Sequence, residues 1–384
     1  MSKKIKYGMV GGGDGAFIGD IHRIASRIDD RFELVAGALS SDAQRANDSA
    51  LRIGIDLQRS YSSYEEMARI ESARADGIDA VVIVTPNHLH FPVSKAFLEQ
   101  GIAVICDKPA TLDLAQAKEL ATLIKERGSF YRLTHNYTAY PLVRFARQMI
   151  EQGKLGKLRL VQVEYVQDWL SENEEQKGNK QAQWRTDPAK SGIGGSLGDI
   201  GTHAFNLAQF MSGLKVSEVC ADIDVFVDGR VLDDNAHVML RFNNAAKGML
   251  WCSQVAPGNA NNLKVRLYGE KGGIEWQQEE PNHLWYTPLG EPSQKIIRAG
   301  HGVSEVANRI SRTPAGHPEG YLEGFANLYS DIADALTLHQ QGLEIPEHLQ
   351  LIPGIREGIS SMQFIEATVQ SSRANSQWVA MDGD

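Results

Sequence analysis

The feature that most constrains this chain is a run of glycines, Gly11-Gly12-Gly13-Asp14-Gly15-Ala16, directly behind an apolar segment at residues 5–10. The run fits the pattern G-x-G-x-x-G/A. Glycine there permits a tight turn and lets the backbone approach a pyrophosphate, and the N-terminus of the next helix faces the negative charge. Gly11, Gly13 and Ala16 carry the pattern, Phe17 and Ile18 open the helix, and the extra Gly15 and Gly19 leave the register open.

What surrounds the run decides its weight. Over residues 1–137, short apolar stretches (5–10, 32–39, 80–84, 103–105, 130–134) alternate with helical patterns (42–53, 63–74, 92–100, 113–127). Nearly continuous apolar strands are those of a parallel sheet covered on both faces, so an α/β Rossmann-type dinucleotide-binding domain is expected over 1–137. After about residue 155 the rhythm changes to successive strands (158–166, 219–226, 236–242, 247–255, 263–268), with turns at Asn243-Asn244 and at Glu270-Lys271-Gly272-Gly273. This predicts a second α/β domain over 138–384, built on a mostly antiparallel sheet and closed by a helix over 318–341. Its last helices are free to pack back on the first domain, and the exposed sheet face suits subunit pairing.

Composition excludes several classes of function. A chain of 384 residues suits two domains. A net charge of −9 disfavours nucleic acid, whose phosphates need clustered Lys and Arg. Cys106, Cys220 and Cys252 are odd in number and lack a C-x-x-C pair, which argues against a disulfide framework and fits a reducing, cytoplasmic setting. No stretch has the length of a secretory or membrane segment, so no membrane partner is expected. No metal is expected either, since no His, Asp and Cys cluster has ligand spacing.

Candidate chemistry collects at strand ends, where ligands of α/β sheets bind. After the second strand, Ser40, Ser41 and Arg45 accompany Asp42. Serines suit either ribose and Arg45 suits a 2′-phosphate, so NAD and NADP both remain open; alternatively, Asp42 only caps a helix. After the third strand come Thr85, Pro86, Asn87, His88 and His90, for the nicotinamide half of a cofactor or for structure. After the fourth come Asp107, Lys108 and Pro109. Pro109 biases Lys108 toward extended backbone, and its ammonium there can stabilise a developing alkoxide. In the second half, Asp199 and His203 stand four apart, on one face of a helix. A carboxylate beside an imidazole orients a proton-accepting histidine, although an N-cap and a core histidine would look the same.

As an ordered set, the glycine turn, the Lys-Pro strand end and Gly198-Asp199-Ile200-Gly201-Thr202-His203 resemble the Gfo/Idh/MocA oxidoreductase family over essentially the whole chain. The resemblance implies an NAD(P)-dependent oxidoreductase acting on a sugar, inositol or related polyol, and a homodimer or homotetramer. It makes Lys108, Asp199 and His203 catalytic. Two departures stand out: Asp107 replaces the family's Glu before the lysine, and His135-Asn136-Tyr137 replaces an Asn-Arg-type pair. Asn136 is carried over as a cofactor contact, and Trp184-Arg185 resembles a family element near nicotinamide and substrate.

Stacking on a sugar ring is expected from Tyr137, Trp169, Trp184 and Tyr321. Hydroxyls would be bound by Asp168, Arg185, Asp187 and His317, with Lys108, Asp199 and His203 at the reacting carbon. Pro318 and Glu319 read equally well as the first turn of the closing helix. His203 would take the hydroxyl proton as hydride leaves. Two other readings stay open: an NAD-dependent glycosidase that oxidises a ring hydroxyl transiently, and a dinucleotide-binding regulator without catalysis.

Overall fold

The computed structural model describes residues 3–381. The chain divides into two compact units. One comprises Met1–His135 with Phe325–Ile359, the other Asn136–Gly324 with Ser360–Asp384.

The first unit is a five-stranded parallel sheet with helices between the strands. Its strands are β1 (Ile5–Gly11), β2 (Phe32–Ala38), β3 (Ala80–Val84), β4 (Ala103–Cys106) and β5 (Tyr131–Leu133), in the order β2-β1-β3-β4-β5. The chain steps from β1 to one side and then returns to the other, so the order reverses between β1 and β3. That is where a doubly wound sheet opens a crevice beyond its strand ends. All of β3 is buried, as its wholly apolar sequence Ala-Val-Val-Ile-Val requires. Asp42, Ser63 and Asp113, read as helical, are instead N-caps whose side chains accept from the third residue onward. The segment Phe325–Ile359 adds Tyr329, whose ring meets Phe32 edge-on at 5.1 Å.

The second unit is a nine-stranded sheet. Its strands are β6 (Leu158–Val166), β7 (Val216–Asp224), β8 (Asn235–Phe242), β9 (Lys247–Ser253), β10 (Asn262–Gly269), β11 (Gly272–Gln277), β12 (His283–Pro288), β13 (Gln294–Ile297) and β14 (Val379–Ala380). They run β13-β12-β11-β10-β6-β9-β8-β7-β14, antiparallel except where β6 pairs with β9. Ala245, at a φ of +71°, closes the β8–β9 hairpin at the expected asparagines, and Asn244 accepts from Ala246 N. β11 to β13 escaped the sequence reading because they are only 6, 6 and 4 residues long and turn apolar Trp285 and Ile297 to water, which blurs the alternation. The helix Thr202–Ser212 packs on the inner face of the sheet, and Phe205 stacks on Phe364 at 4.3 Å.

Glu319 corrects an expectation. The closing helix runs Tyr321–Gln340, so Glu319 precedes it. Its buried carboxylate accepts from the amides of Arg312 and Thr313 at 2.6 Å each and pairs with Arg298 at 3.1 Å. Among the described residues, no helix is long and apolar enough to cross a membrane.

Candidate functional site

In the first unit the glycine turn joins the ends of β1 and β3. Gly11 has a φ of +80°, and a Cβ there would stand 2.9 Å from the Val84 carbonyl. A Cβ on Gly13 would stand 2.7 Å from the Leu39 carbonyl, and one on Gly19 would meet Gly12 Cα at 2.5 Å. The register left open by the sequence therefore resolves: Gly19 is the residue that lets the helix lie against the turn. That helix, Phe17–Ile28, begins after extended Ala16 with no side-chain cap. Its first amides remain available to an anion. Thr85 Oγ1, at the neighbouring strand end, is buried without a partner. These residues fit a dinucleotide.

Beyond β2, Asp42 does what the plainer alternative predicted. Its Oδ1 accepts from Arg45 N at 2.8 Å, and Ser40 Oγ accepts from Asp42 N at 3.1 Å. Ser41 and the Arg45 side chain are exposed at the mouth of this loop.

The turns after β3 and β4 are tied together. Pro86 and Asn87 open a short helical turn, and Asn87 is buried. His90 is buried too: its Nδ1 lies 2.5 Å from the Pro109 carbonyl and its Nε2 2.9 Å from the Thr85 carbonyl. Asp107 Oδ1 accepts from Lys108 N at 2.8 Å and from Thr134 Oγ1 at 2.9 Å, so the shorter carboxylate still braces the turn. The Lys108–Pro109 peptide is cis. His135 is held neutral: burial first, then the Lys108 charge, push its pKa down to about 3.

The second unit holds Asp199 and His203. Here the structure corrects the expectation of one regular helix: Leu197–Gly201 is a π-helical turn that passes into the α-helix Thr202–Ser212. A π turn takes more residues than an α turn, which brings positions four apart closer to one line, and such turns gather at functional sites. Asp233 fixes its start, accepting from Gly195 N at 2.5 Å, Ser196 Oγ at 2.7 Å and Leu197 N at 2.7 Å. Asp199 Oδ2 accepts from Arg185 Nε at 3.2 Å and from Gln254 Nε2 at 2.9 Å. Arg185 is itself set by Gln181, whose Oε1 also receives Trp184 Nε1, and the guanidinium lies 4.1 Å over the Trp184 ring.

His203 is nearly buried between two tyrosines. Tyr137 meets it edge-on, with centroids 4.9 Å apart, and Tyr165 lies 6.1 Å away. The Tyr137 and Tyr165 hydroxyls are 2.7 Å apart, and Tyr165 donates to Asn261 at 2.8 Å. Burial raises the pKa of both phenols. Asn136, beside them in the chain, has a buried Nδ2 without a partner.

Other expected residues sit apart from this cluster or serve it indirectly. Tyr137 walls His203 with its ring and has its hydroxyl engaged by Tyr165. Trp169 Nε1 donates to Gln167. Asp168 accepts from Gly258 N at 3.0 Å, and Asp187 caps a short helix through Ala189 N. His317 is exposed, and its carbonyl accepts from Arg298 at 2.5 Å. Tyr321 begins the closing helix with its ring 6.3 Å from that of Tyr137. The sequence reading missed Tyr165, Gln254, Asn261 and Asp233. Only the polar ends of otherwise inward, apolar strand positions could have betrayed them.

Residues 5–135 match the family profile described as an oxidoreductase family with an NAD-binding Rossmann fold, and residues 143–275 match the GFO/IDH/MocA C-terminal domain. The chain belongs to the Gfo/Idh/MocA oxidoreductase family. It is thus an NAD-binding oxidoreductase, with the Rossmann sheet and open second sheet of that family. An oxidoreductase of Sinorhizobium meliloti is 52% identical, with 98% of this chain and 100% of that one covered and a TM-score of 0.88. An inositol dehydrogenase homolog of Azotobacter vinelandii, solved with NADH and myo-inositol, is 32% identical over 99% and 98% of the two chains, with a TM-score of 0.92. The levoglucosan dehydrogenase of Pseudarthrobacter phenanthrenivorans is 27% identical, covering 98% of each protein.

Proposed function

We propose that this enzyme is an NAD-dependent dehydrogenase that oxidises a secondary hydroxyl of an inositol, a sugar or a related polyol. The observation that carries the reading is the Asp199 carboxylate, held by Arg185 and Gln254 four residues before a histidine walled by Tyr137 and Tyr165. Bound NAD supplies the hydride acceptor at the carbon bearing the hydroxyl. His203 receives the hydroxyl proton. Asp199 favours the imidazolium that results, and its two donors keep the carboxylate from turning away. The Lys108 ammonium, on a turn braced by Asp107, stabilises the alkoxide as it forms.

The Gly11–Gly13 turn and the open N-terminus at Ala16, Phe17 and Ile18 hold the pyrophosphate. Thr85, Pro86, Asn87, Asn136 and Trp184 complete the cofactor's surroundings. Ser40 and Ser41 meet the ribose; Asp42 caps the next helix through Arg45 N, NADP is the alternative, and exposed Arg45 would meet its phosphate. Relatives that bind myo-inositol or act on levoglucosan support a cyclic polyol as substrate.

The protein acts as a homodimer or homotetramer. The outer face of the second sheet carries exposed Leu160, Met239, Met249, Tyr268 and Trp285. Strand register places them on one side, an apolar face of the kind that pairs subunits.

The test is a matrix of NAD⁺ and NADP⁺ against inositols, aldoses and glycosides, with nicotinamide reduction and sugar release followed together. Reduction that depends on an inositol or sugar, and is faster with NAD⁺, supports the proposal. Sugar release without reduction would replace it by a redox-neutral glycosidase.

A further inference from the structure

His90 stands in an arrangement that a neutral imidazole cannot satisfy. A neutral ring has one N–H and one lone pair. Both ring nitrogens of His90 face backbone carbonyls, that of Pro109 at 2.5 Å and that of Thr85 at 2.9 Å, and a carbonyl only accepts. In either tautomer one nitrogen would turn its lone pair toward a carbonyl lone pair, in a site where the side chain is 1% exposed and water cannot intervene. Only the ring with protons on both nitrogens makes both bonds.

The two carbonyls belong to different turns. Thr85 follows β3, and Pro109 follows Lys108 after β4. We propose that His90 is a doubly protonated clip that joins these two turns and so sets the position of Lys108. The clip stands on geometry alone; its importance for Lys108 rests on the function proposed above.

The groups that face the ring agree with a charge there. They are the Pro109 carbonyl and the Asp107 carboxylate on the same turn, with Cys106 at the end of β4 beside them. Burial disfavours the charged ring, but these neighbours outweigh it and raise the pKa to about 9. Cys106 itself donates to the Asp107 carbonyl at 3.2 Å, which ties the end of β4 to the turn that carries the carboxylate.

The experiment uses the full-length protein with NADH, uniformly labelled with nitrogen-15 at its histidines, and a His90→Gln variant for assignment. Imidazole nitrogen shifts are followed by NMR from the ordinary histidine value of about 6.5 upward. The clip predicts that one histidine, missing in His90→Gln, shows two protonated nitrogens at neutral pH and loses one only near pH 9. A single neutral tautomer at pH 7 overturns it, and this measurement on the wild type stands even if the variant folds poorly.

The positioning of Lys108 is read separately, by the rate at which its amine is acetylated relative to exposed Lys125, using mass spectrometry. A half-unit change in the lysine's proton affinity alters that rate about threefold. His90→Gln is expected to change it by at least that much, with the Lys125 rate unchanged. An unchanged Lys108 rate in the folded variant refutes the positioning role. Neither readout needs a turnover substrate, so both stand if the proposed reaction is wrong.

Discussion

Arg185 Nε lies 3.2 Å from Asp199 Oδ2, so the carboxylate in the chemical half of the second unit is pinned by a guanidinium that is itself pinned by Gln181. Removing one partner from a partly buried ion pair leaves the other exposed to its desolvation cost, about 1–3 kcal/mol or more. Arg185→Met is therefore expected to lower kcat/KM for the polyol by about 10–100-fold. Gln254→Leu should give a smaller loss in the same direction. Steady-state kinetics on both variants checks this; equal activity in Arg185→Met and wild type would remove the pinning role.

Replacing the chemical groups themselves should cost more. Lys108→Ala and His203→Ala are each expected to cut turnover by ~10²–10⁴-fold, the usual contribution of general acid–base groups. NADH affinity, measured by fluorescence titration, should stay within a few-fold. Collapse of cofactor binding in both variants would mean that the residues are structural.

Glycine replacements in the dinucleotide turn should separate close packing from backbone freedom. Alanine at Gly19 would place a methyl 2.5 Å from Gly12 Cα, whereas at Gly15 nothing lies within 4 Å. Gly15 still has a φ of +78°, so Gly15→Ala should lose roughly 1 kcal/mol from backbone strain alone. Gly19→Ala should lower the melting temperature further and weaken NAD binding more. The reverse order in a thermal melt would show that the helix does not rest on the turn as described.

Acid should destabilise the first unit through two buried histidines. His22, whose Nδ1 lies 2.7 Å from the Tyr329 hydroxyl, has its pKa lowered to about 4, mainly by burial, and that of His135 falls to about 3. Both folded values lie below the unfolded value of about 6.5, so the stability they represent is present above that pH and is lost as pH falls toward the folded values. The shifts correspond to roughly 3 kcal/mol for His22 and roughly 5 kcal/mol for His135 over that window. His90 acts in the opposite sense: raised to about 9, it stabilises below about 6.5 and fades as pH rises through 9. Urea unfolding of His22→Gln between neutral and acid pH should show a shallower loss than wild type; parallel slopes would contradict this.

How much of this was legible in the sequence follows from the kind of force involved. The parallel sheet could be read because β3 and β4 are apolar along their whole length, and the glycine turn because only glycine fits Gly11 and Gly19. The π turn at Leu197–Gly201 could not be read, since its cause lies in Asp233, more than thirty residues on, gripping three donors at 195–197. The same holds for Tyr165, Asn261 and Gln254. Their role depends on strands β6, β9 and β10 pairing, and nothing local in the chain announces that register. Glu319 was misread because an acidic residue after proline suits a helix start, while its true partner, Arg298, belongs to the segment following β13.

The central claim is that hydride leaves a hydroxyl-bearing carbon of a cyclic polyol for NAD, and isotope transfer tests it most directly. The enzyme would be incubated with NAD⁺ and myo-inositol carrying deuterium at its ring carbons, and the recovered cofactor weighed by mass spectrometry. The account predicts that the reduced cofactor accumulates carrying one deuterium, in step with formation of a ketone, and that aldoses replace inositol with the same outcome if the sugar is the better substrate. If no deuterium enters the cofactor from any inositol or sugar that the enzyme consumes, the account is contradicted.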